Sequence, residues 1–413
     1  MTVSTLEELE LPFLELESPA FAADPYRHFA VAREVHPWLA RSNFGLVVHQ
    51  LSAIRELFIQ DQKFRPAYDG IVDQLDAHGT PWGRFTEQQL ISLPEEKHRL
   101  LRGMFAARFT PAFANRMRGV MRGTIIRLLD EWAPRGEFDF EVFASHYPIS
   151  VMFSLVGAPL ERLADIRADL ETLGLAMSLD KSRMPEIQKS ITRLDALVHA
   201  LIEERLRGER GTHDDLLELL IDAGGEGGIT ARELADVIMF FFIAGYDTTK
   251  NVMTFTMHTL LDYPEIYRRC ADDIDYCRKV IEEALRYFNP GSVGRFTNED
   301  IVFRDVLLPK DSMIFFTLNI AGRDPTAYAD ADVFDPDRQV ALENRHVAFG
   351  LGRHMCLGQH IARAQMQEAF HQIAQRLREP QLAGDFGWRP YPGAWGMHGL
   401  PLRFNTTGRQ EHD

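Results

Sequence analysis

Apolar residues recur at helical spacing along most of the chain, and only short stretches alternate between apolar and polar residues as strands do. The helical patterns cover residues 95–107, 111–133, 142–156, 160–178 and 185–208. Strand-like runs occur near residues 40–50, 290–318 and 383–405. Residues 63–94 show little periodicity and are expected to be irregular. The pattern predicts a mainly α-helical fold with a smaller β-rich region, and we expect one domain over residues 1–413.

The longest helical pattern runs from about Thr230 to Asp262. Thr230 and Glu233 have the spacing of a capping box, which satisfies free N–H groups at a helix start. Pro264 follows the last helical position and marks the end of the helix. At about 1.5 Å per residue, this helix extends on the order of 50 Å. Residues 237–243 are apolar on all sides, which predicts a buried helix.

A polar segment, Ala244-Gly245-Tyr246-Asp247-Thr248-Thr249, interrupts this apolar helix. A glycine in a helix costs about 1 kcal/mol relative to alanine, and a threonine can bond the carbonyl one turn back. One interpretation is a kink without function, in which the aspartate is solvated. Lys250 is unusual in so central a helix, and its side chain is expected to extend outward. Buried acids and distorted helix turns are typical of functional sites, so the segment predicts such a site.

Composition limits the partners and the compartment of the protein. Its 413 residues carry 45 Lys and Arg against 60 Asp and Glu, and the net charge of −15 argues against general nucleic-acid binding. Three cysteines and an acidic N-terminus without an apolar run indicate a reducing cytoplasm rather than secretion. No apolar stretch has the length of a membrane span. We expect a cytoplasmic monomer that binds neither nucleic acid nor membranes.

Cys356 lies in a glycine-rich segment, which reads Phe349-Gly350-Leu351-Gly352-Arg353-His354-Met355-Cys356-Leu357-Gly358. Glycine adopts backbone angles that residues with a Cβ avoid, so this segment, the cysteine loop, can fold tightly around the sulfur. A helical pattern begins after Gly358, and the positive end of a helix, with Arg353 and His354 nearby, is expected to lower the pKa of the thiol. A cysteine alone would equally fit an inert, buried position.

The whole string Phe-Gly-x-Gly-x-x-x-Cys-x-Gly resembles the haem-binding signature of the cytochrome P-450 family, the haem-thiolate monooxygenases. The resemblance extends from about residue 90 to near the C-terminus, and it implies the cytochrome P-450 fold. It also implies haem b (iron protoporphyrin IX) as the cofactor, with Cys356 as the ligand of the iron. Phe349, Leu357 and Gly358 would contact the haem beside that ligand.

The polar segment of the long helix is similar to the oxygen-binding groove of the same family. The resemblance implies that Thr248 and Asp247 manage protons beside the haem, while Ala244 and Gly245 leave room for O2. The implied reaction inserts one oxygen atom of O2 into a C–H bond or a double bond, and the other atom leaves as water.

Four further residues, His98, Arg102, Arg295 and His354, match family positions that hold the two haem propionates. His98 and Arg102 are four residues apart on one helical face, and arginine binds carboxylates in a forked geometry. The family usually has Asp-Pro-Pro before this helix, whereas the chain has Leu93-Pro94-Glu95.

Glu283 and Arg286 match the family's Glu-x-x-Arg, and Arg338 lies in a segment similar to that of its later partner. An exposed pair of this kind contributes little to stability. The resemblance implies that the three side chains form a buried network, whose value would lie in fixing the register of the core.

The substrate is the feature on which the sequence is least informative. Leu357-Gly358-Gln359-His360 and Gly294-Arg295 resemble camphor- and terpenoid-oxidising bacterial members, so we expect a small-to-medium apolar molecule. The residues expected around it, each of which would also fit the core, are Trp82, Phe85, Met177, Phe240, Ile243, Val293 and Trp395.

Electrons must come from outside the chain, because the sequence lacks both a GxGxxG nucleotide motif after a strand and a cluster of iron–sulfur cysteines. A 2Fe-2S ferredoxin with an NAD(P)H-dependent reductase is implied. Basic residues on the cysteine side of the haem would attract such an acidic partner, and Arg353 and Arg363 are expected at the surface. The basic residues in question are His98, Arg99, Arg102, Arg108, Arg345, Arg353 and Arg363.

Two other functions fit the cysteine loop. A haem-thiolate peroxygenase or dehydratase-like enzyme often lacks the Asp-Thr pair. A haem-based ligand sensor would usually carry an output domain, for which the chain has no spare length. Turnover with NAD(P)H and generic redox partners would distinguish a monooxygenase from both.

Overall fold

The computed structural model describes residues 3–208, 215–227, 229–393 and 395–406. The helices are α1 Pro19–Ala23, α2 Pro25–Val35, α3 Leu51–Phe58, α4 Tyr68–Gln74, α5 Pro81–Gln88, α6 Glu95–Ala106, α7 Pro111–Arg116, α8 Arg118–Trp132, α9 Phe140–Val156, α10 Leu163–Gly174, α11 Met184–Arg207, α12 Leu216–Gly227, α13 Ala231–Leu261, α14 Pro264–Asp272, α15 Ile274–Tyr287, α16 Leu318–Ala321 and α17 Gln359–Arg376. The strands are β1 Leu39–Ser42, β2 Gly45–Val48, β3 Phe64–Pro66, β4 Glu137–Asp139, β5 Val293–Thr297, β6 Ile301–Phe303, β7 Val306–Leu308, β8 Met313–Phe316, β9 Leu377–Leu382, β10 Gly387–Trp388, β11 Met397–His398 and β12 Pro401–Thr406. Helices predominate and the strands are short, which confirms the predicted mainly α-helical fold with a smaller β-rich region.

The main sheet joins distant parts of the chain in the strand order β1-β2-β8-β5-β3. Strand β2 is parallel to β8, and the other neighbours are antiparallel. Within this sheet Arg295 of β5 lies opposite Ile314 of β8 and Pro66 of β3. The sheet therefore fixes the position of one predicted propionate contact from both sides.

Residues 63–94 are not irregular as expected, because they contain β3, α4 and α5. These elements are 3, 7 and 8 residues long, which is at most about two helical turns. So few repeats give no clear periodicity in the sequence, although the Thr80 side chain caps α5 by accepting a hydrogen bond from the Gly83 amide.

The central element is α13, which has Thr230 at its N-cap and Asp262 at its C-cap, as predicted. The capping box is present, because the Thr230 hydroxyl accepts from the Glu233 amide and the Glu233 carboxylate accepts from the Thr230 amide. The apolar centre of α13 is largely buried and packs against α9, α10 and α11. Within the residues described, no helix is both long and apolar enough to cross a bilayer.

Glu283 and Arg286 of α15 form a buried ion pair through two contacts, Nε to Oε2 at 2.8 Å and Nη2 to Oε1 at 2.6 Å. The Nε of Arg338 lies 3.5 Å from the same carboxylate. The Arg286 guanidinium also donates to the carbonyl oxygens of Gly322 and Ala331. These contacts form the expected three-residue network and connect α15 to a segment about fifty residues later in the chain.

Candidate active site

A cavity of about 410 Å³ lies between α13 and the cysteine loop. Its wall also includes residues of α6 and β5, so four distant parts of the chain meet there. The predicted site residues that line the cavity are Arg102, Phe240, Ala244, Gly245, Thr248, Val293, Arg295, Phe349, His354, Cys356, Leu357 and Gly358. The fold therefore brings the predicted iron ligand, the polar helix segment and three of the predicted propionate contacts to one site.

The cysteine loop has the tight geometry that its glycines predict. Gly350 and Gly352 have φ angles of +70° and +67°, which residues with a Cβ rarely adopt. The Cys356 amide donates to the Phe349 carbonyl oxygen at 2.8 Å, which closes the loop. Gly358 then occupies the N-cap of α17, so Cys356 lies just before a helix start, as expected.

The Cys356 side chain is exposed only in the sense that it opens into the cavity, since the residue lies deep in the protein. Burial raises the pKa of the thiol above its ordinary value, while the Gly358 amide, Arg102 and Arg363 lower it in part. The expectation of a lowered pKa is therefore wrong for the free thiol. A bound metal ion deprotonates a coordinating thiol outright, so this pKa does not argue against ligation.

The α13 wall of the cavity combines small and hydroxylic side chains. Ala244, Gly245, Thr248 and Thr249 all line it. A Cβ at Gly245 would lie 2.8 Å from the sulfur of Met152, so glycine allows α9 to pack closely against this turn. The helix stays continuous here, and the Thr248 hydroxyl donates to the Ala244 carbonyl oxygen at 2.9 Å. The sequence anticipated this back-bond, but the turn is not distorted.

Asp247 does not line the cavity, because its side chain is buried on another face of α13. Its Oδ1 lies 2.6 Å from Nη1 of Arg389 and 3.3 Å from Nζ of Lys250. Its Oδ2 is buried and has no hydrogen-bond partner within the described part of the chain. Lys250 is 2% exposed and also contacts Glu141 at 2.5 Å, so the expectation that Lys250 extends outward is wrong.

Arg389 and Glu141 are charged neighbours of Asp247 and Lys250 that the sequence did not reveal. Burial alone would lower the pKa of Arg389, but Asp247 beside it raises that pKa above the ordinary value. Because Arg389 follows Asp247 by 142 residues, no local pattern connects the two. Asp247 and Lys250 are three residues apart on one helix, and that spacing was the only signal in the sequence for the cluster.

The predicted propionate contacts meet at one end of the cavity. The rings of His98 and His354 pack with centroids 4.4 Å apart, and Nε2 of His98 is buried without a partner among the described residues. Nη2 of Arg102 donates to the Met355 carbonyl oxygen at 2.5 Å. Burial, together with His98 and two nearby arginines, lowers the pKa of His354 to about 3. His354 is thus neutral near pH 7 and offers a hydrogen bond rather than a positive charge.

The residues present fit a haem. A thiol in a cavity wall can ligate iron, and two guanidinium groups, those of Arg102 and Arg295, line the same cavity at one end. The buried, unpartnered Nε2 of His98 is a donor that an added carboxylate would satisfy. Haem would therefore be held by Cys356 at the iron and by this end of the cavity at its propionates.

Of the predicted substrate contacts, only Phe240 and Val293 line the cavity. Trp82 and Phe85 of α5 are buried in the core, and Met177 and Ile243 are partly buried against it. Trp395 is fully buried, its Nε1 donates to the Ala22 carbonyl oxygen at 3.0 Å, and its ring stacks on Phe288. These five side chains pack in or against the core and do not line the cavity. Apolar cavity residues that were not expected include Leu90, Ile91, Met152, Phe241, Val252 and Leu318.

Arg353 and Arg363 are not free surface cations, contrary to expectation. Nη1 of Arg353 lies 2.8 Å from Oε2 of Glu95, and its side chain is 29% exposed. Nε of Arg363 donates to Glu282 at 2.7 Å, and its guanidinium lies 4.3 Å from the centre of the Phe349 ring. Both arginines hold the cysteine loop against its neighbours.

Residues 41–380 match the sequence model of the family described as cytochrome P-450, and the chain belongs to this family. It is therefore a haem-dependent oxidoreductase of the monooxygenase type, with haem b bound through a cysteine thiolate.

Luteothin monooxygenase from Streptomyces thioluteus is 33% identical over 96% of this chain and 97% of its own length. Epothilone C/D epoxidase from Sorangium cellulosum is 26% identical over 90% of this chain and 91% of its own length. The crystal structure of an epothilone D-bound cytochrome P-450 is similar with a TM-score of 0.85, covers 95% of this chain and 99% of its own, and is 23% identical. That last likeness concerns the fold alone.

Proposed function

We propose that this monooxygenase oxidises a neutral, largely apolar organic molecule. One oxygen atom of O2 enters the substrate, and the other leaves as water with two electrons and two protons. The observation that carries this proposal is the distribution of charge in the cavity. Among the described residues that line it, the charged side chains come from β3, β5, α6, the turn before β3 and the cysteine loop, whereas the α13 wall and residues 289–293 carry none.

Haem bound through Cys356 supplies the oxygen chemistry, since a thiolate ligand pushes electron density towards iron and favours O–O cleavage. Thr248 carries a hydroxyl that is exposed at the cavity wall and can exchange protons there. Rotation of this hydroxyl about its C–O bond turns its hydrogen from the Ala244 carbonyl towards the cavity. Ala244 and Gly245 are small residues, which leave space in the cavity for a small reactant beside that hydroxyl.

In this proposal Asp247 supplies protons to the cavity, although its side chain lies on a face of α13 that does not line it. Arg389 and Lys250 hold its Oδ1, while the buried Oδ2, unpartnered among the described residues, is available to a water molecule. Asp247 directly precedes Thr248 in α13, so a proton on this carboxylate lies close to Thr248 along the chain. Delivery to the cavity then requires Asp247 to loosen its contact with Arg389 or to act through such a water.

The substrate class is argued from the wall and from the relatives. A buried charge without a partner is costly, so an uncharged wall selects against ionised groups on the substrate. Relatives at 33% and 26% identity are named for luteothin and for epothilones C and D, which supports a biosynthetic substrate. A compact terpenoid-like molecule stays the prediction from the sequence, and the titration below tests it against larger molecules.

A titration of the haem spin state with a ligand library tests the substrate class. We expect neutral apolar ligands to shift the Soret band as they displace water from the haem, and we expect their charged analogues to cause no shift.

Phe240→Ala removes an aromatic wall of the cavity, so Kd for compact ligands should rise roughly tenfold, and bulkier ligands should bind more tightly. Ile243→Ala, on the same helix but outside the cavity wall, is the matched control. The proposal would be contradicted if Phe240→Ala and Ile243→Ala had the same Kd values for these ligands. It would also be contradicted if the wild type preferred charged ligands.

We also propose that a ferredoxin delivers the electrons, and that it docks through cations other than Arg353 and Arg363. Arg99 of α6 is exposed, as is Arg345, which lies four residues before Phe349. No ion pair of either guanidinium occurs in the described ranges, so both charges are available to an acidic partner. A local basic patch can steer such a partner even though the protein as a whole carries −15.

Reduction of the haem by ferredoxin should slow as salt rises, because the Debye length falls to about 3 Å at molar ionic strength. Arg99→Glu and Arg345→Glu should each slow the second-order reduction rate at low salt by roughly tenfold. Their carbon monoxide spectra should stay intact. Arg278→Glu is the control, since that exposed arginine lies on α15 and pairs with Asp275. Stopped-flow rates that ignore both salt and the two charge reversals would exclude this docking face.

A further inference from the structure

Asp61 is a carboxylate at the cationic end of the cavity that neither the sequence motifs nor the proposed chemistry explains. It begins a short 3-10 turn, Asp61–Lys63, directly before β3. Its side chain is 14% exposed and lines the cavity. Because an acid in a site for two anionic propionates would repel them, its presence needs a reason.

The contacts of Asp61 reach two of the groups that surround the propionate end. Oδ1 accepts a hydrogen bond from Nη1 of Arg295 in β5. Oδ2 accepts from the backbone amide of Arg353 in the cysteine loop at 3.2 Å. A Cβ at Gly352 would lie 2.8 Å from this Oδ2, so the glycine permits the approach. One carboxylate therefore connects the main sheet to the loop that carries the iron ligand.

The positive charges at this end of the cavity also explain why an acid is present there. Arg102, Arg295 and Arg353 bring three positive charges to the cavity wall, and a fourth arginine, Arg65, is paired with an exposed aspartate. Three like charges in a partly buried site repel one another. Arg353 also pairs with the exposed Glu95, so the charge that Asp61 mainly offsets is that of the buried Arg295.

The Arg295 side chain is 6% exposed, and its guanidinium also lies 4.0 Å from the centre of the Phe58 ring. Burial lowers the pKa of Arg295, and Asp61 counteracts that effect. Without Asp61 the guanidinium would keep the aromatic contact but lose its fixed acceptor. A long side chain held at one acceptor loses less rotamer freedom when a propionate binds.

We propose that Asp61 is a positioning residue for haem binding, which holds the Arg295 guanidinium and the Arg353 amide in the arrangement that receives the propionates. Asp61 does not itself touch the reacting atoms. The competing interpretation is that Asp61 only opposes the propionates, in which case its removal would tighten haem binding.

Haem transfer to excess apomyoglobin separates these two interpretations, because it measures haem loss without turnover. Asp61→Ala should speed haem loss by roughly tenfold, as expected for a lost charge-assisted hydrogen bond, and Asp61→Asn should lie between it and the wild type. Glu95→Gln is the matched control, since Glu95 pairs with Arg353 from the outside and is 72% exposed. Unchanged or slower haem loss in both Asp61 variants would overturn the proposal.

Two further measurements exclude a merely structural role. The effects of Asp61→Ala and Arg295→Ala on haem loss should be less than additive in the double variant, because Asp61 acts in part through Arg295. Asp61→Asn should also raise the reduction potential of the haem, since a negative charge beside it is removed. Additive effects on haem loss together with an unchanged reduction potential would overturn the proposal. If Asp61→Ala does not fold, the same measurements are made with Asp61→Asn.

Discussion

Replacement of Cys356 by serine is expected to abolish the red-shifted Soret band that the reduced protein shows with carbon monoxide. That band would require a thiolate as a ligand of the haem iron, and serine offers a hydroxyl that stays protonated. The Cys356 sulfur is the thiol that opens into the cavity. Monooxygenase activity should fall to background, because the oxygen chemistry depends on the same thiolate.

Cys270→Ser and Cys277→Ser are the controls, since both cysteines are fully buried and neither lines the cavity. Each control should keep the red-shifted band, even if burying a hydroxyl lowers the free energy of unfolding by about 1–3 kcal/mol. Loss of the band in Cys270→Ser, with its retention in Cys356→Ser, would refute Cys356 as the ligand. Haem content should be measured in each variant, so that loss of the ligand is distinguished from loss of the cofactor.

Features set by neighbouring residues were predictable from the sequence. The ends of α13 follow from Thr230, Glu233 and Pro264, because a capping box and a proline act within one helical turn. The cysteine loop follows from Gly350 and Gly352, whose positive φ angles depend on their own lack of a Cβ. In both cases the physical cause lies within a few residues of its effect.

Features set by distant residues were not predictable in this way. Asp247 was expected beside Thr248 at the oxygen site, but Arg389 and Lys250 draw its carboxylate to another face of the helix. The thiol of Cys356 was expected to be acidic at a helix start, but its burial in the assembled core outweighs that local field. Trp395 was expected to line the substrate pocket, but its ring packs in an aromatic cluster with Phe288.

A second kind of failure concerns residues without a recognisable pattern. Asp61 is one acid among many in an acidic chain, and nothing beside it in sequence indicates Arg295 or the cysteine loop as its partners. The sheet order β1-β2-β8-β5-β3 brings β3, and the turn before it, next to β5. Strand order is a property of the whole fold, so such a contact becomes visible only when the strands are assembled.

Replacement of Thr248 by alanine should leave NAD(P)H and O2 consumption largely intact but divert most of the electrons to hydrogen peroxide. Both outcomes consume two electrons and two protons per O2, and they differ in whether the O–O bond breaks. Correct proton delivery favours its cleavage, and a positioned proton donor typically contributes about 100-fold or more. Thr248 is exposed to the cavity and carries the hydroxyl placed for this task. We expect oxidised substrate per NAD(P)H to fall by at least roughly tenfold.

Three variants make this expectation specific to the Thr248 hydroxyl. Thr248→Ser keeps a hydroxyl at the same position and should restore most of the coupling. Thr249→Ala should keep the coupling near wild type, because the Thr249 hydroxyl is buried and lies 3.4 Å from Nε2 of Gln365. Asp247→Asn should slow turnover more than it uncouples, since it removes the ionisable group that Arg389 and Lys250 hold, while the hydroxyl stays in place. Thr248→Ala with an unchanged yield of product per NAD(P)H would show that protons reach the cavity by another route.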